Sequence, residues 1–528
     1  MLRLVGSKTL AWWGHVGPSR HPNGGTKLQL CIFFVQSSAL HQQPSSSLAT
    51  TSVSFTAQEL TREGTFQPAT YQYSGETANG WHILRNGQPH LQLGPGYQLL
   101  RTICSGICST DLARQHLPYP LPQIIGHEVA VQLHEGTAAI EINASHLARG
   151  HEINSCAFCK SDLAAHCPGR WTLGINTLPG SFAPWILAPV HAAHVLPRHW
   201  PAECAALLEP LAAALQSLNV TPPGSDTAVF GPRRLGGLLL CALAGWRKDN
   251  KQNFSIHALS RNEFLRDYLL TMGADECLTP QAASASHGTY DVVYDTSGSA
   301  GGFLQALSMT RRILHLKSTH GQPVEGLSQW AAFVVDELSL LPYADEHLHF
   351  CWPHESQTRQ TRHVHLSPRL APSFCEHMRQ QFPQLQFHQC ASRELAEQLA
   401  QGWHPPGADL PRLDAAILES LAEMDEIVRP LAGREFSIVR PRGVLLLAGE
   451  SYRESSISHH VRQRRIAIHS SRCGNFAQAL NFLKRHPQWV DILLKSFVTR
   501  RFALSDIAEA LQAAADPHFI KVLLDSPL

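Results

Sequence analysis

No Asp or Glu precedes Glu59. The leader is instead dominated by Ser, Thr, Gln and Pro, as in QSSALHQQPSSSLATTS, and such text cannot bury enough apolar surface to offset the entropy of ordering it. Arg and Lys are too sparse there for an organelle transit peptide. Residues 1–65 are therefore expected to be an unstructured extension, or one read from an upstream start codon. Any apolar run near the ~20 residues that span a bilayer is also missing. The longest near the start, LQLCIFFV, is far shorter, so no membrane partner is expected. Charge of one sign is lacking too: 43 Lys and Arg meet 42 Asp and Glu, which leaves no long-range field to draw nucleic acid or an anionic membrane. Cysteine is too thin for a secreted disulfide framework. Its 13 copies are scattered except at 156, 159 and 167, a pattern that suits a reducing cytosol and a metal site.

What is present is a long chain: 528 residues can bury large cores and imply two to four domains. Most of its 31 His are expected on surfaces or in structural roles. The informative stretch is 106–128, GICSTDLARQHLPYPLPQIIGHE, which opens with Cys108 and closes with His127 and Glu128. Thiolate, imidazole and carboxylate are the side chains that hold catalytic zinc, and the Pro-rich loop between them can return the chain to the same ion. Downstream, ALLEPLAAALQSL sets Glu209 before Pro210 at a helix start, where a carboxylate also suits the helix dipole.

At these residues the chain resembles the zinc-containing medium-chain dehydrogenase/reductase family, which includes alcohol, sorbitol and threonine dehydrogenases. The family signature, Gly-x-Cys-x-Thr-Asp followed by Gly-His-Glu, is met by Gly106, Cys108, Thr110, Asp111, Gly126, His127 and Glu128. The likeness covers 81–317 and resumes over 462–528. It implies an α/β protein: a β-rich, GroES-like catalytic domain (66–222 and 490–528) and a Rossmann-type doubly wound nucleotide domain (223–341 and 455–489). It also implies zinc held by Cys108 and His127, with Glu128 and Glu209 as direct or exchangeable ligands. Thr110 would relay a proton and Asp111 would orient the His127 ring. The activity so implied is hydride transfer between NAD(P) and a small alcohol of the polyol or hydroxy-amino-acid type, in a homodimer or homotetramer. Two other readings are weighed beside it: a dehydrogenase-like binding protein without turnover, and a zinc lyase or epimerase.

Four departures from the family pattern matter. Cys156, Cys159 and Cys167 match the last three ligands of the family's structural-zinc lobe, but the first falls at Ile153, leaving His151, Glu152 or His166 to complete the set. The phosphate loop reads Gly231-Pro-Arg233-Arg234-Leu235-Gly236, with arginine where the family has its middle glycine. Such a loop either reshapes dinucleotide binding or adds positive charge beside a phosphate. The next strand, FSIHALSRN, ends in Ser260 and Arg261 where an NAD enzyme presents an acid, and this favours NADP over NAD because Arg can pair with a 2′-phosphate. Asp295, Ser297 and Gly298 fall at the C-terminal edge of a later strand, where nucleotide folds gather ligands.

The fourth departure is an insertion over 342–454. It alternates short apolar strands with amphipathic helices and is expected to be a separate α/β domain with a largely parallel sheet, serving packing, oligomerisation or as a lid. It carries no phosphate loop. FVVDELSLL before it resembles the approach to the family's last strand, and IAIHSSRCGNFAQAL after it resembles the same region again.

Overall fold

The computed structural model describes residues 51–527 apart from 118, 284–287, 318–321, 351–361, 435 and 450–454, and apart from the side chains of 153, 349 and 350. Residues 1–50 of the expected extension therefore lie outside the described residues. The remainder of it is not unstructured: β1 (Thr51–Leu60) opens an antiparallel meander with β2 (Phe66–Glu76), β3 (Gly80–Arg85) and β4 (Gln88–Leu93). In β1 every second side chain turns inward, so Phe55 and Ala57 bury beside Tyr71 and Tyr73 of β2. Ser and Thr on the outer face hid this alternation in the composition. Glu59 is buried as well, its carboxylate gripped by both Nε and Nη2 of Arg85 at 2.5 Å.

A second β unit carries the signature residues. Its strands are β5 (Tyr97–Gly106), β6 (Glu128–Leu133), β7 (Gly136–Ile140), β10 (Trp185–Pro189) and β11 (Ala193–Val195), joined by β23 (Val498–Ala503) and β24 (Lys521–Asp525) from the C-terminus. The sheet runs β11-β7-β6-β5-β24-β23, with β10 also paired to β5. A short pair, β8 (Asn143–Ala144) and β9 (Trp171–Thr172), ties down the cysteine lobe. The register decides the site. Gly106 at the end of β5 lies opposite Glu128 at the start of β6, so the 106–128 loop leaves and rejoins the ladder at one point. Leu523 of β24 pairs with Gly106 from the other side.

The third unit is one sheet of eleven strands. In chain order these are β12 (Asp226–Phe230), β13 (Ser255–Leu259), β14 (Glu276–Leu278), β15 (Tyr290–Asp295), β16 (Thr310–Leu316), β17 (Ser339–Pro342), β18 (Arg362–Leu366), β19 (Leu385–His388), β20 (Leu413–Leu418), β21 (Val439–Leu447) and β22 (Ala467–Ser470). Their spatial order is β14-β13-β12-β15-β16-β22-β17-β21-β20-β18-β19. The first six are parallel in the 3-2-1-4-5-6 order of a doubly wound nucleotide fold.

The insertion is not a separate domain. Its strands continue the same sheet as a second parallel block, and the blocks meet antiparallel where Leu340 of β17 faces Ile468 of β22. Counted outward from that joint, β17, β21, β20, β18 and β19 stand where the sixth, fifth, fourth, first and second strands of another doubly wound half would stand. The chain thus holds two half-folds of opposite polarity that exchange their last strands. This accounts for the approach to a last strand being legible twice in the sequence. Both faces are covered, as parallel strands require: all six side chains of β20 are buried, and Leu413, Leu418 and Leu445 share one core with Phe230, Leu314 and Leu316. Among the described residues, no helix is long and apolar enough to cross a membrane.

Candidate active site

Cys108 caps the short helix Ser109–Leu112, so the residues after it are wound back onto it. Asp111 accepts the Cys108 backbone N–H with Oδ2 at 2.8 Å, and its Oδ1 lies 3.2 Å from His127 Nδ1. With Nδ1 turned to a carboxylate, Nε2 is the ring nitrogen left for a metal. The Thr110 hydroxyl lies 3.7 Å from Cys108 Sγ. Ligand atoms of Cys108, His127 and Glu128 all fall within 4.8 Å of one another, His127 and Glu128 fully buried and Cys108 partly so. The close fit at this point depends on Gly106: a Cβ there would meet Glu128 Oε2 at 2.2 Å.

The electrostatics favour a cation. Burial alone would depress the His127 imidazole, but the Asp111 carboxylate and then Cys108 outweigh it and hold the ring well above its ordinary value. Glu128 Oε1 is buried with no hydrogen-bond partner among the described residues. A thiolate, an imidazole and an unsatisfied carboxylate oxygen at such spacing fit a divalent zinc ion.

Glu209, in the first turn of the helix Leu208–Val220, does not join the tight trio but shares its field. Burial pushes its carboxyl up, the His127 ring pulls it down, and Glu128, Lys521 and Lys317 act on it in turn. Two lysines are thus part of the site, and neither was foreseen. Lys521, the first residue of β24, is buried with Nζ 2.5 Å from Glu128 Oε2 and 3.1 Å from the Ile107 carbonyl. Lys317, just past β16, donates to the Ser471 carbonyl (3.2 Å), the Ser471 hydroxyl (3.0 Å) and the Arg472 carbonyl (2.8 Å). Burial pushes its ammonium down to about 8. The only sequence signal for Lys521 was a lysine opening an otherwise apolar strand.

The cysteine lobe closes with a different fourth residue from those expected. His146 gathers with Cys156, Cys159 and Cys167, all ligand atoms within 4.8 Å, and its Nδ1 is 3.1 Å from Cys167 Sγ. Its signal was a histidine just after β8, ten residues before the first cysteine of the set and so outside the family spacing. His166 instead places Nε2 3.0 Å from Glu337, and neither His151 nor Glu152 is in the cluster. The four side chains fit a closed structural zinc site.

In the nucleotide half, Gly231 turns at φ 66°, and a Cβ there would meet the Ser297 backbone at 2.7 Å, so the loop rests on the end of β15. Ser297 N–H donates to Asp295 Oδ1 at 2.9 Å, and Gly298 follows at φ 63°. Arg233 and Arg234 do not present charge to a phosphate. Arg233 Nη2 donates to the carbonyls of Ala514, Asp516 and Phe519, and Arg234 to those of Ala514 and Ile520 and to the Ser109 hydroxyl. Both guanidiniums lock the loop against the C-terminal segment. The helix Arg234–Asp249, with Leu235 and Gly236 in its first turn, still begins at this loop, where amides favour an anion. Ser260 is buried, its hydroxyl accepting from Asn262 N–H at 3.1 Å, while Arg261 is exposed with no ion pair among the described residues.

Residues 94–198 match the model of the alcohol dehydrogenase GroES-like domain. L-threonine 3-dehydrogenase of Pyrococcus furiosus is 28% identical over 201 residues, covering 35% of this chain and 55% of that protein. The enzyme of the same name from Deinococcus radiodurans is 28% identical over 238 residues, 41% of this chain and 66% of that one. The chain thus spans about half the length of the first of these relatives. L-idonate 5-dehydrogenase from Escherichia coli superposes at 14% identity with a TM-score of 0.48, over 90% of this chain and 99% of that one.

Proposed function

We propose that this chain is a member of the zinc-containing medium-chain dehydrogenase/reductase family and a zinc-dependent oxidoreductase that exchanges hydride between a small alcohol and NADP. The observation that carries this reading is the meeting of Cys108, His127 and Glu128 within 4.8 Å, beside Glu209 and against the edge of a nucleotide fold. Bound zinc would supply Lewis-acid chemistry, lowering the alcohol pKa and stabilising negative charge on its oxygen. The chain's own residues do the rest. Cys108 and His127 would hold the ion, and Asp111, beside His127 Nδ1, orients the ring so that Nε2 is left for it. Glu128 and Glu209 are the carboxylates within reach. Lys521 balances Glu128, and this decides whether that carboxylate is free to bind the ion. Thr110 has its hydroxyl beside the thiolate, placed to pass on the alcohol's proton.

Arg261 supports NADP: an exposed guanidinium after the second strand, with no ion pair among the described residues, suits a 2′-phosphate. The relatives named for threonine support a hydroxy-amino acid as substrate, with polyols as the related class. The unpaired state of all eleven described cysteines supports a reducing compartment such as the cytosol. One observation favours a second reading, a nucleotide-fold protein without turnover: Arg233 and Arg234 tie the phosphate loop to the C-terminal segment.

The test is zinc analysis with turnover of L-threonine and sorbitol under NADP and NAD. Two zinc ions per chain are expected, falling to one in Cys108→Ser with loss of turnover, and Arg261→Ala should weaken NADPH by about tenfold with NADH unchanged. Zinc content untouched by Cys108→Ser would refute the catalytic site. NADPH bound without turnover of any alcohol would favour the second reading.

A further inference from the structure

We propose that a cavity between the cysteine lobe and the second half of the large sheet binds a small oxyanion, a carboxylate or a phosphate, gripped by Arg170 and Arg412. The cavity holds 220 Å³, room for about seven waters, and so for a compact anion. Tyr119, Arg170 and Asn176 line it from the catalytic side, and Arg412, Phe436 and Ser437 from the far side. Three guanidiniums therefore meet in it, yet among the described residues the one acid on its wall is Asp336.

That acid is already engaged. Arg429 Nη1 donates to Asp336 Oδ2 at 2.6 Å, to the Val428 carbonyl at 2.7 Å and to the Ser437 hydroxyl at 2.8 Å, and Ser437 donates to the same carboxylate. Arg429 and Asp336 cancel, leaving two cations. Among the described residues the Arg412 guanidinium donates only to the Pro411 carbonyl, at 2.5 Å, and lies over the Phe436 ring with its carbon 4.4 Å from the centroid. Among the described residues the Arg170 guanidinium has neither a hydrogen-bond acceptor nor an ion-pair partner, though the residue is only partly exposed. Burial, and then the charge of Arg472, pull its guanidinium down to about 10. Arg472 has itself a buried Nε without a partner. A half-buried cation with neither counter-ion nor acceptor is costly, and two such forks across a small polar cavity match what a carboxylate or phosphate offers.

The site exists only because the second half-fold supplies the far wall, and it does not depend on the zinc reading. Its anion has two chemical sources: a carboxylate carried by the catalytic substrate, or a separate effector. Tyr119, which lines the cavity, lies on the loop joining Cys108 to His127, so the chain itself links the cavity to the catalytic loop.

Malonate and inorganic phosphate, each added to the zinc-loaded full chain without nucleotide, test the proposal by calorimetry and thermal unfolding. Saturable binding of at least one is expected, weakened about tenfold or more in Arg170→Met and in Arg412→Met but not in Arg261→Met, which reports the nucleotide cleft. Arg170→Lys should fall between, keeping charge but losing the fork. Without anion, Arg170→Met should unfold at or above the wild-type temperature because an uncompensated cation is gone; with malonate the order should invert. Binding unchanged in Arg170→Met, loss in Arg261→Met instead, or no saturation at tens of millimolar would overturn the site. Competition between malonate and the alcohol would assign the anion to the substrate, and non-competitive inhibition or activation to an effector.

Discussion

Replacing Lys521 by Met should destabilise the chain by about 3–5 kcal/mol when zinc is removed. The ammonium sits 2.5 Å from Glu128 Oε2, with the two side chains 2% and 0% exposed, so no water can take its place. Its loss leaves a buried carboxylate whose other oxygen already has no hydrogen-bond partner among the described residues. The cost is the desolvation of that stranded charge more than the attraction lost, which makes it large beside a total stability of ~5–15 kcal/mol. The assay is urea unfolding of four proteins in chelator: wild type, Lys521→Met, Glu128→Gln and the double variant. The double variant should regain most of the loss, because it removes both the charge and its counter-charge. Zinc should also rescue Lys521→Met more than the wild type, since the freed carboxylate becomes available to the ion. A Lys521→Met loss under about 1 kcal/mol, or two single losses that simply add, would refute the reasoning.

His146→Ala should lower zinc from two ions per chain to one while turnover persists, and His146→Ala with Cys108→Ser should leave none; retention of both ions in His146→Ala would remove it from the site. Asp295 is buried, and burial pushes its carboxyl from 3.8 to about 6. An acid so raised contributes stability that is full below 3.8 and lost as pH rises through 6. Asp295→Asn keeps the acceptor for the Ser297 amide and should therefore gain up to about 3 kcal/mol over the wild type by pH 7, with the gain vanishing near pH 4 in unfolding curves. Ile468→Ala, at the antiparallel joint and fully buried, should cost about 2–5 kcal/mol and loosen both halves of the sheet together; hydrogen exchange confined to one half would argue against a single sheet.

Much of the catalytic cluster was legible because it is local. Cys108, Thr110 and Asp111 lie in one turn, and a single loop returns to His127 and Glu128 where β5 and β6 pair, the meeting that the family resemblance implied. The alternating helices and strands likewise declared two parallel-sheet halves, since buried strands read as continuous apolar runs. Legibility failed where composition masked periodicity, as in β1, and where a partner came from far along the chain.

What the amino-acid order determined by itself was chemistry of short range: which side chains can bind metal, which strands are buried, and where the chain turns. Tertiary structure alone decided that Lys521 closes on Glu128 from 393 residues away. It chose His146 over nearer candidates, and it turned Arg233 and Arg234 from a phosphate to the carbonyls of 514–520. It also joined two half-folds into one sheet instead of leaving two domains. The physical reason is common to all four. Strand edges, carbonyls and ligand atoms each accept several partners of the same type, and only the packed geometry says which one is within reach.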